Sequence, residues 1–294
     1  MRQITRCLPA GILALACSAA GAVTGGEPVS DAKFAAESPW VVAVANRAGP
    51  GLCTGVLISP RYVLTAGHCA GGSLEVLFGS PSRSAARRVA VRGAIIHPKF
   101  RRDPVEYDLG LLRLVRPVRV TPVALAGPAE SRDLVRRHRE ATILGWGSII
   151  PGGEKPDVLR RARILFTAIR IAGPQISYWS ERGGPCGGDS GGPMLVRARD
   201  DVAVLVGITS TTGGNLCETG GGLAAYTNVA ALLDFIREHV PDFTERMPPL
   251  VFGQRGRRDA APDPDNTLAI TEANPLPEEV QRLVPWPAAN PGPT

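Results

Sequence analysis

Three short strings in this sequence hold residues suited to nucleophilic chemistry. Leu64-Thr65-Ala66-Gly67-His68-Cys69 sets a histidine at the end of an apolar run, directly before a cysteine. Tyr107-Asp108-Leu109-Gly110-Leu111-Leu112-Arg113-Leu114 puts one aspartate at the head of a strongly apolar run. A carboxylate there is partly buried and needs a partner, which His68 can supply. Gly187-Gly188-Asp189-Ser190-Gly191-Gly192-Pro193 crowds glycines on both sides of one serine. Glycine lets the backbone turn tightly and lets another chain come close. Such a loop can aim backbone N–H groups at one point and form an anion site for a developing oxyanion. A serine, a base and an acid that orients the base together make an activated nucleophile. Alone, a histidine is more often structural and a strand-head aspartate more often a cap. The serine string is the specific one.

These residues must be held by strands. From Trp40 to Tyr226 the chain is a series of short apolar runs separated by Gly, Pro, Ser and Asn. Strands are expected at Trp40–Ala45, Val56–Ile58, Tyr62–Thr65, Leu74–Phe78, Val89–Ile96, Leu109–Leu114, Ala141–Leu144, Ile164–Ile171, Met194–Val196 and Val202–Thr209. Their β-branched content and regular spacing indicate an all-β sandwich or barrel set. Strand–helix alternation is missing, which argues against an α/β fold. That bears on a rival, because Gly188-Asp189-Ser190-Gly191-Gly192 also satisfies the G-x-S-x-G elbow of α/β-hydrolases. Those enzymes carry their acid and histidine after the serine; here only His239 follows, inside a helical pattern. Val229–Val240 is the one expected helix, ended by Pro241.

Composition is that of a globular chain: 294 residues, 44% hydrophobic and 20% charged. With 34 glycines and 27 prolines, long helices and coiled coils are excluded. The net charge is +6, and only Lys33, Lys99 and Lys155 among the 33 basic residues are lysine. The pairs Arg87-Arg88, Arg101-Arg102 and Arg136-Arg137 lack interleaved aromatics and read as solvated surface, so no nucleic-acid partner is expected.

Arg2 and Arg6, the uncharged Leu8–Ala16 and the small-x-small Ala20-Gly21-Ala22 read as an export signal over residues 1–22. Cleavage after Ala22 leaves a chain beginning Val23-Thr24-Gly25-Gly26. Ala14-Leu15-Ala16-Cys17 loosely fits a lipobox, and lipidation at Cys17 is the rival that would bring the chain to a membrane. Ala14 stands where leucine is preferred, so a free secreted protein is expected. Beyond the leader lie Cys53, Cys69, Cys186 and Cys217, an even number that reads as two disulfides with three connectivities open. Residues 244–294 turn Pro-rich and acidic, with little apolar pattern, and read as a disordered tail.

Taken together, the three strings resemble the chymotrypsin/trypsin family of serine endopeptidases, whose order is also histidine, aspartate, serine. The resemblance covers roughly Val23 to Val240. It implies a protease domain over 23–243: two six-stranded antiparallel Greek-key β-barrels, roughly 23–130 and 131–228, with a C-terminal helix. Ser190 is then the nucleophile, His68 the base and Asp108 its orienting acid. The N–H groups of Gly188 and Ser190 form the oxyanion hole. The ammonium of Val23 pairs with Asp189, so that export itself completes the enzyme. Gly184 falls at the floor of the primary pocket, with Ser210, Thr211 and Thr212 along one wall and Ala224 on the other. With no aspartate at Gly184, a small or medium uncharged residue is expected before the scissile bond. The resemblance also pairs Cys53 with Cys69 and Cys186 with Cys217, and gives Gly145-Trp146-Gly147 a packing role. It implies a monomer acting on proteins or peptides, with no metal and no cofactor. The alternative is a catalytically silent relative that binds protein without cutting it.

Overall fold

The computed structural model describes residues 23, 26–136, 139–166, 168–180, 183–213, 217 and 222–246. The expected leader and residues 247–294 of the expected tail lie outside them.

Strand β1 (Glu27–Pro28) and helix α1 (Asp31–Glu37) lead in. The helix is seven residues long. Ser30 caps it by accepting from the Lys33 N–H, and its one buried side chain is Phe34. Strands β2 (Val41–Asn46), β3 (Leu52–Ser59), β4 (Tyr62–Thr65), β5 (Leu74–Phe78) and β6 (Arg87–Ile96) follow. A small hairpin, β7 (Arg101–Arg102) and β8 (Val105–Glu106), precedes β9 (Gly110–Leu114). Six of these strands close a barrel in the order β2-β3-β4-β9-β6-β5. Its lining is aliphatic: Val41, Val56, Leu57, Val63, Leu64, Leu111 and Leu112 have no exposed surface. Burial of this kind, worth roughly 1.5–3 kcal/mol per large apolar side chain, is what fixes the strand ends that carry the site.

The second half runs through β10 (Leu125–Ala126), helix α2 (Pro128–Leu134), β11 (Glu140–Gly145), β12 (Arg160–Leu165), β13 (Ala168–Ala172) and β14 (Gln175–Ser180). It continues with β15 (Pro193–Arg197), β16 (Ala203–Gly213) and β17 (Gly222–Asn228). Its sheet runs β1-β12-β11-β15-β16-β17-β14-β13, with β10 paired to β16. Strands β12 and β13 are successive in the chain, so the covalent chain joins the two sides of this sheet. The expected single strand Ile164–Ile171 is met as two strands: β12 ends at Leu165, Phe166 lies outside it, and β13 begins at Ala168. The lead-in strand β1 crosses to this half by pairing with β12.

The expected helix Val229–Val240 is tighter at its start than periodicity suggests. A 3₁₀ turn, Ala230–Leu232, leads into α3 (Leu233–His239). Val229, Leu232, Leu233, Phe235 and Ile236 are buried against the first barrel's core. The chain then forms β18 (Glu245–Arg246), parallel to β10. Among the described residues no helix is long and apolar enough to cross a membrane.

Candidate active site

His68 lies in one 3₁₀ turn, Gly67–Cys69, directly after β4. The Cys53–Cys69 disulfide ties that turn to β3, and Cys186–Cys217 closes the second pair. The sulfurs beside His68 are thus bonded to each other and offer no thiolate pair to a metal.

Asp108 precedes β9 and is 2% exposed. Its Oδ1 accepts from the His68 backbone N–H at 2.9 Å, and its Oδ2 from His68 Nδ1 at 2.8 Å. Ser210 Oγ donates to the same Oδ2 at 2.6 Å, and Thr227 Oγ1 donates to the Asp108 carbonyl at 2.7 Å. Burial alone would raise the Asp108 pKa. The hydrogen bonds and charge of His68, with the Ser210 hydroxyl, outweigh it and hold the carboxyl below its ordinary value. A carboxylate facing Nδ1 fixes the proton there, leaving Nε2 as the acceptor.

Ser190 is half-buried, at the tip of a turn before β15. The turn is bolted to the first barrel through Thr54 of β3. Thr54 N–H donates to the Ser190 carbonyl at 2.8 Å, and Thr54 Oγ1 to the Gly188 carbonyl at 3.0 Å. Gly191 has φ +81°, and a Cβ there would lie 2.0 Å from Thr65 Oγ1 and 2.2 Å from the Thr54 carbonyl. Only glycine lets the serine turn sit this close to the strand that ends at His68. Among the described residues no acceptor takes the N–H groups of Gly188 and Ser190, whereas Asp189 N–H is taken by the Cys186 carbonyl and Gly191 N–H by the Thr209 carbonyl. Two free donors flanking a nucleophile are what an oxyanion site requires. The Ser190 hydroxyl and the His68 ring are not hydrogen-bonded here, as is common in ligand-free sites.

Asp189 is 2% exposed. Its carboxylate accepts from Gly147 N–H at 2.7 Å and Cys186 N–H at 2.9 Å. A Cβ on Gly147 would fall 2.4 Å from Asp189 Oδ2. The Gly145-Trp146-Gly147 string therefore cradles this carboxylate, beyond the expected packing role. Burial pushes the Asp189 pKa up to about 6, against the two backbone donors. Among the described residues no cation pairs with it. Val23 is 1% exposed and shares a core cluster with Tyr178 and Tyr226. The pKa values of both tyrosines are raised, mainly by burial, and Asp189's charge adds to the effect.

Around the expected pocket, Gly184, Ser210 and Ala224 are buried, Thr211 is intermediate and Thr212 exposed. Thr212 stands opposite Ala224 and Thr211 opposite Ala225, with an irregularity at Ser210. Directly opposed residues share a sheet face, so Thr212 and Ala224 lie on one side. Ser210, expected only as pocket wall, also donates to Asp108. Sequence reasoning missed Thr54 and Thr227 altogether; nothing local marks either threonine.

An all-β fold of one closed six-stranded barrel and a second, mainly antiparallel sheet, with a buried aspartate on a histidine and a glycine-bounded serine, defines the class of chymotrypsin-like serine proteases. The family model for trypsin matches residues 23–236. The chain is 32% identical over 249 residues to mouse (Mus musculus) Serine protease 56, covering 75% of this chain and 39% of that protein. It is 28% identical over 235 residues to Trypsin from Saccharopolyspora erythraea, covering 74% of this chain and 98% of that one. It is 33% identical over 220 residues to Thrombin-like enzyme elegaxobin-2 from Protobothrops elegans, covering 67% and 90%. Some animal relatives are much longer: the chain spans 21% of rat (Rattus norvegicus) Transmembrane protease serine 9. The chain belongs to the trypsin family.

Proposed function

We propose that this chain is an exported serine endopeptidase that hydrolyses peptide bonds through an acyl-enzyme. The observation that carries the reading is Asp108, buried yet accepting from both His68 and Ser210. An aspartate so placed holds the imidazole tautomer and stabilises the imidazolium that forms during catalysis. Ser190 attacks the carbonyl carbon while His68 Nε2 takes its proton. The N–H groups of Gly188 and Ser190 bind the oxyanion; losing one such donor typically costs ~10²–10³ in turnover. His68 then protonates the leaving amine, and water repeats the sequence to release the acid. The chemistry needs only these side chains and backbone donors.

Residues 1–22 are the export signal in this reading, 23–243 the protease domain and 244–294 a tail. Signal cleavage before Val23 frees the ammonium that neutralises Asp189, whose burial without a cation supports the pairing. Gly184 at the pocket floor and Thr212 facing the same side as Ala224 support a small or medium uncharged residue before the scissile bond.

Labelling tests the proposal. A serine-directed phosphonate should add its mass to the peptide containing Ser190 and nowhere else, and His68→Ala should abolish the adduct. Failure of folded protein starting at Val23 to react would overturn the reading.

A further inference from the structure

Lys155 is placed unlike an ordinary surface lysine. Its side chain lies over Gly188: a Cβ on Gly188 would sit 3.0 Å from Lys155 Cε and 3.2 Å from Cδ. The lysine stem therefore packs on the backbone of Gly188, two residues before the serine, and carries its ammonium one bond beyond that contact. The backbone beneath it is clasped to the first barrel. Arg83 donates from Nη2 to the Lys155 carbonyl at 2.9 Å and from Nε to the Pro156 carbonyl at 3.1 Å. Asp157 accepts from Ser84 N–H at 2.8 Å and from the hydroxyls of Ser82 and Ser84. Arg83 N–H donates to the Asp157 carbonyl, Leu159 N–H to the Pro81 carbonyl, and Ser82 bridges to Val158.

The clasp engages the neighbouring charged side chains without cancelling their charge. Asp157 is engaged by the two serines and Arg83 by two carbonyls. Glu154 is exposed, and Lys155 makes no ion pair with it or with any described residue. What remains is an ammonium with no ion pair among the described residues, on a backbone clasped to the first barrel by Arg83 and Asp157. Ser210, on the strand expected to hold the acyl part of a substrate, approaches from the Asp108 side. Lys155 comes instead from the loop docked on residues 81–84 and reaches the serine turn at Gly188.

We propose that Lys155 is a specificity residue that selects a carboxylate, aspartate or glutamate, on the leaving-group side of the scissile bond. The inference rests on the serine-endopeptidase reading and names part of its substrate class. A lysine stem already packed on Gly188 loses less rotamer freedom on pairing than a free one, and a half-exposed pair of this kind favours its partner about three- to fivefold over a neutral side chain.

The test is kcat/KM on peptides that share one cleaved bond and differ by a single Asp, Asn or Lys at each of the first three positions after it. The enzymes are wild type, Lys155→Met and Lys155→Glu. Wild type should prefer Asp to Asn about three- to fivefold at one of these positions, and should disfavour Lys there. Lys155→Met should abolish the preference and Lys155→Glu reverse it, and 0.5 M salt should shrink it. The Asp-to-Asn ratio is read within each enzyme, so that a loosened loop, which slows both peptides alike, is separated from a charge effect. Equal rates on Asp and Asn peptides in wild type, or a preference that survives Lys155→Glu, would overturn the inference while leaving the protease reading intact. Failure of wild type on every peptide, with no phosphonate adduct, would sink the protease reading and this inference with it.

Discussion

Adding residues in front of Val23 should make this protein lose stability as pH rises from 4 to 7. With no cation beside it, Asp189 is buried and its pKa stands at about 6 against an ordinary 3.8. A rise of that size is worth about 3 kcal/mol between the two protonation states. The sign follows from proton binding. Over this window the folded chain holds a proton on Asp189 that the unfolded chain has released, so folding is favoured below pH 4 and loses ground as pH climbs through 6. A free Val23 ammonium paired with Asp189 lowers that pKa and removes the loss. The comparison is urea unfolding from pH 4 to 7.5 of two Ser190→Ala proteins, which cannot digest themselves. One starts at Val23 and the other retains Gly21-Ala22. The difference in unfolding free energy should grow by about 3 kcal/mol across the window, in favour of the chain starting at Val23. Every other side chain is common to both and cancels; the two α-amino groups differ but titrate only at the top of the window. Asp189→Asn in the extended chain should flatten its own pH dependence. A difference that does not change with pH would refute the reasoning about Asp189.

Three further outcomes are expected. Ser210→Ala removes a charge-assisted donor from Asp108 and should cost about 1.5–3 kcal/mol at pH 7. Because the Asp108 pKa is held below its ordinary value, that deficit should shrink as pH falls below about 4, which urea unfolding at pH 7 and pH 3 will show. Gly191→Ala drives a methyl into Thr65 Oγ1 and the Thr54 carbonyl at a positive φ; destabilisation of about 3 kcal/mol or more is expected in thermal unfolding, with loss of phosphonate labelling. Cys53→Ala with Cys69→Ala opens a link across 16 residues. It should cost about 3 kcal/mol in urea unfolding, and kcat should fall as the turn carrying His68 loosens.

What could be read from the sequence was local. The first barrel's strands were legible because each is a short apolar run bounded by turn residues. The glycines around Ser190 were legible because they mark a backbone that comes close to its neighbours, as Gly191 does to Thr65. Helices α1 and α2 were not, since each spans seven residues, too few for a helical period to stand out. The helix after Val229 was legible from its buried face, but its 3₁₀ start reflects how it meets the first barrel. The least visible features were hydroxyls acting across the two halves. Ser210 lies 102 residues from Asp108, Thr227 lies 119 from it, and Thr54 lies 134 from Gly188. Docking of one half on the other sets those contacts, and no local pattern carries them. Lys155 over Gly188 is of the same kind. It is one of three lysines in an arginine-rich chain, and the clasp with Arg83 that positions it is a contact between loops far apart in sequence.

The most direct measurement compares peptide hydrolysis by protein starting at Val23 with that of its Ser190→Ala and His68→Ala variants. The peptides should vary only in the residue before the cleaved bond. A peptidase working through Ser190 and His68 requires hydrolysis by the wild type, strongest at a small or medium uncharged residue, and a loss of about 10⁴-fold or more in each variant. A folded wild-type protein that cleaves none of the peptides, or a Ser190→Ala variant as active as wild type, would contradict it.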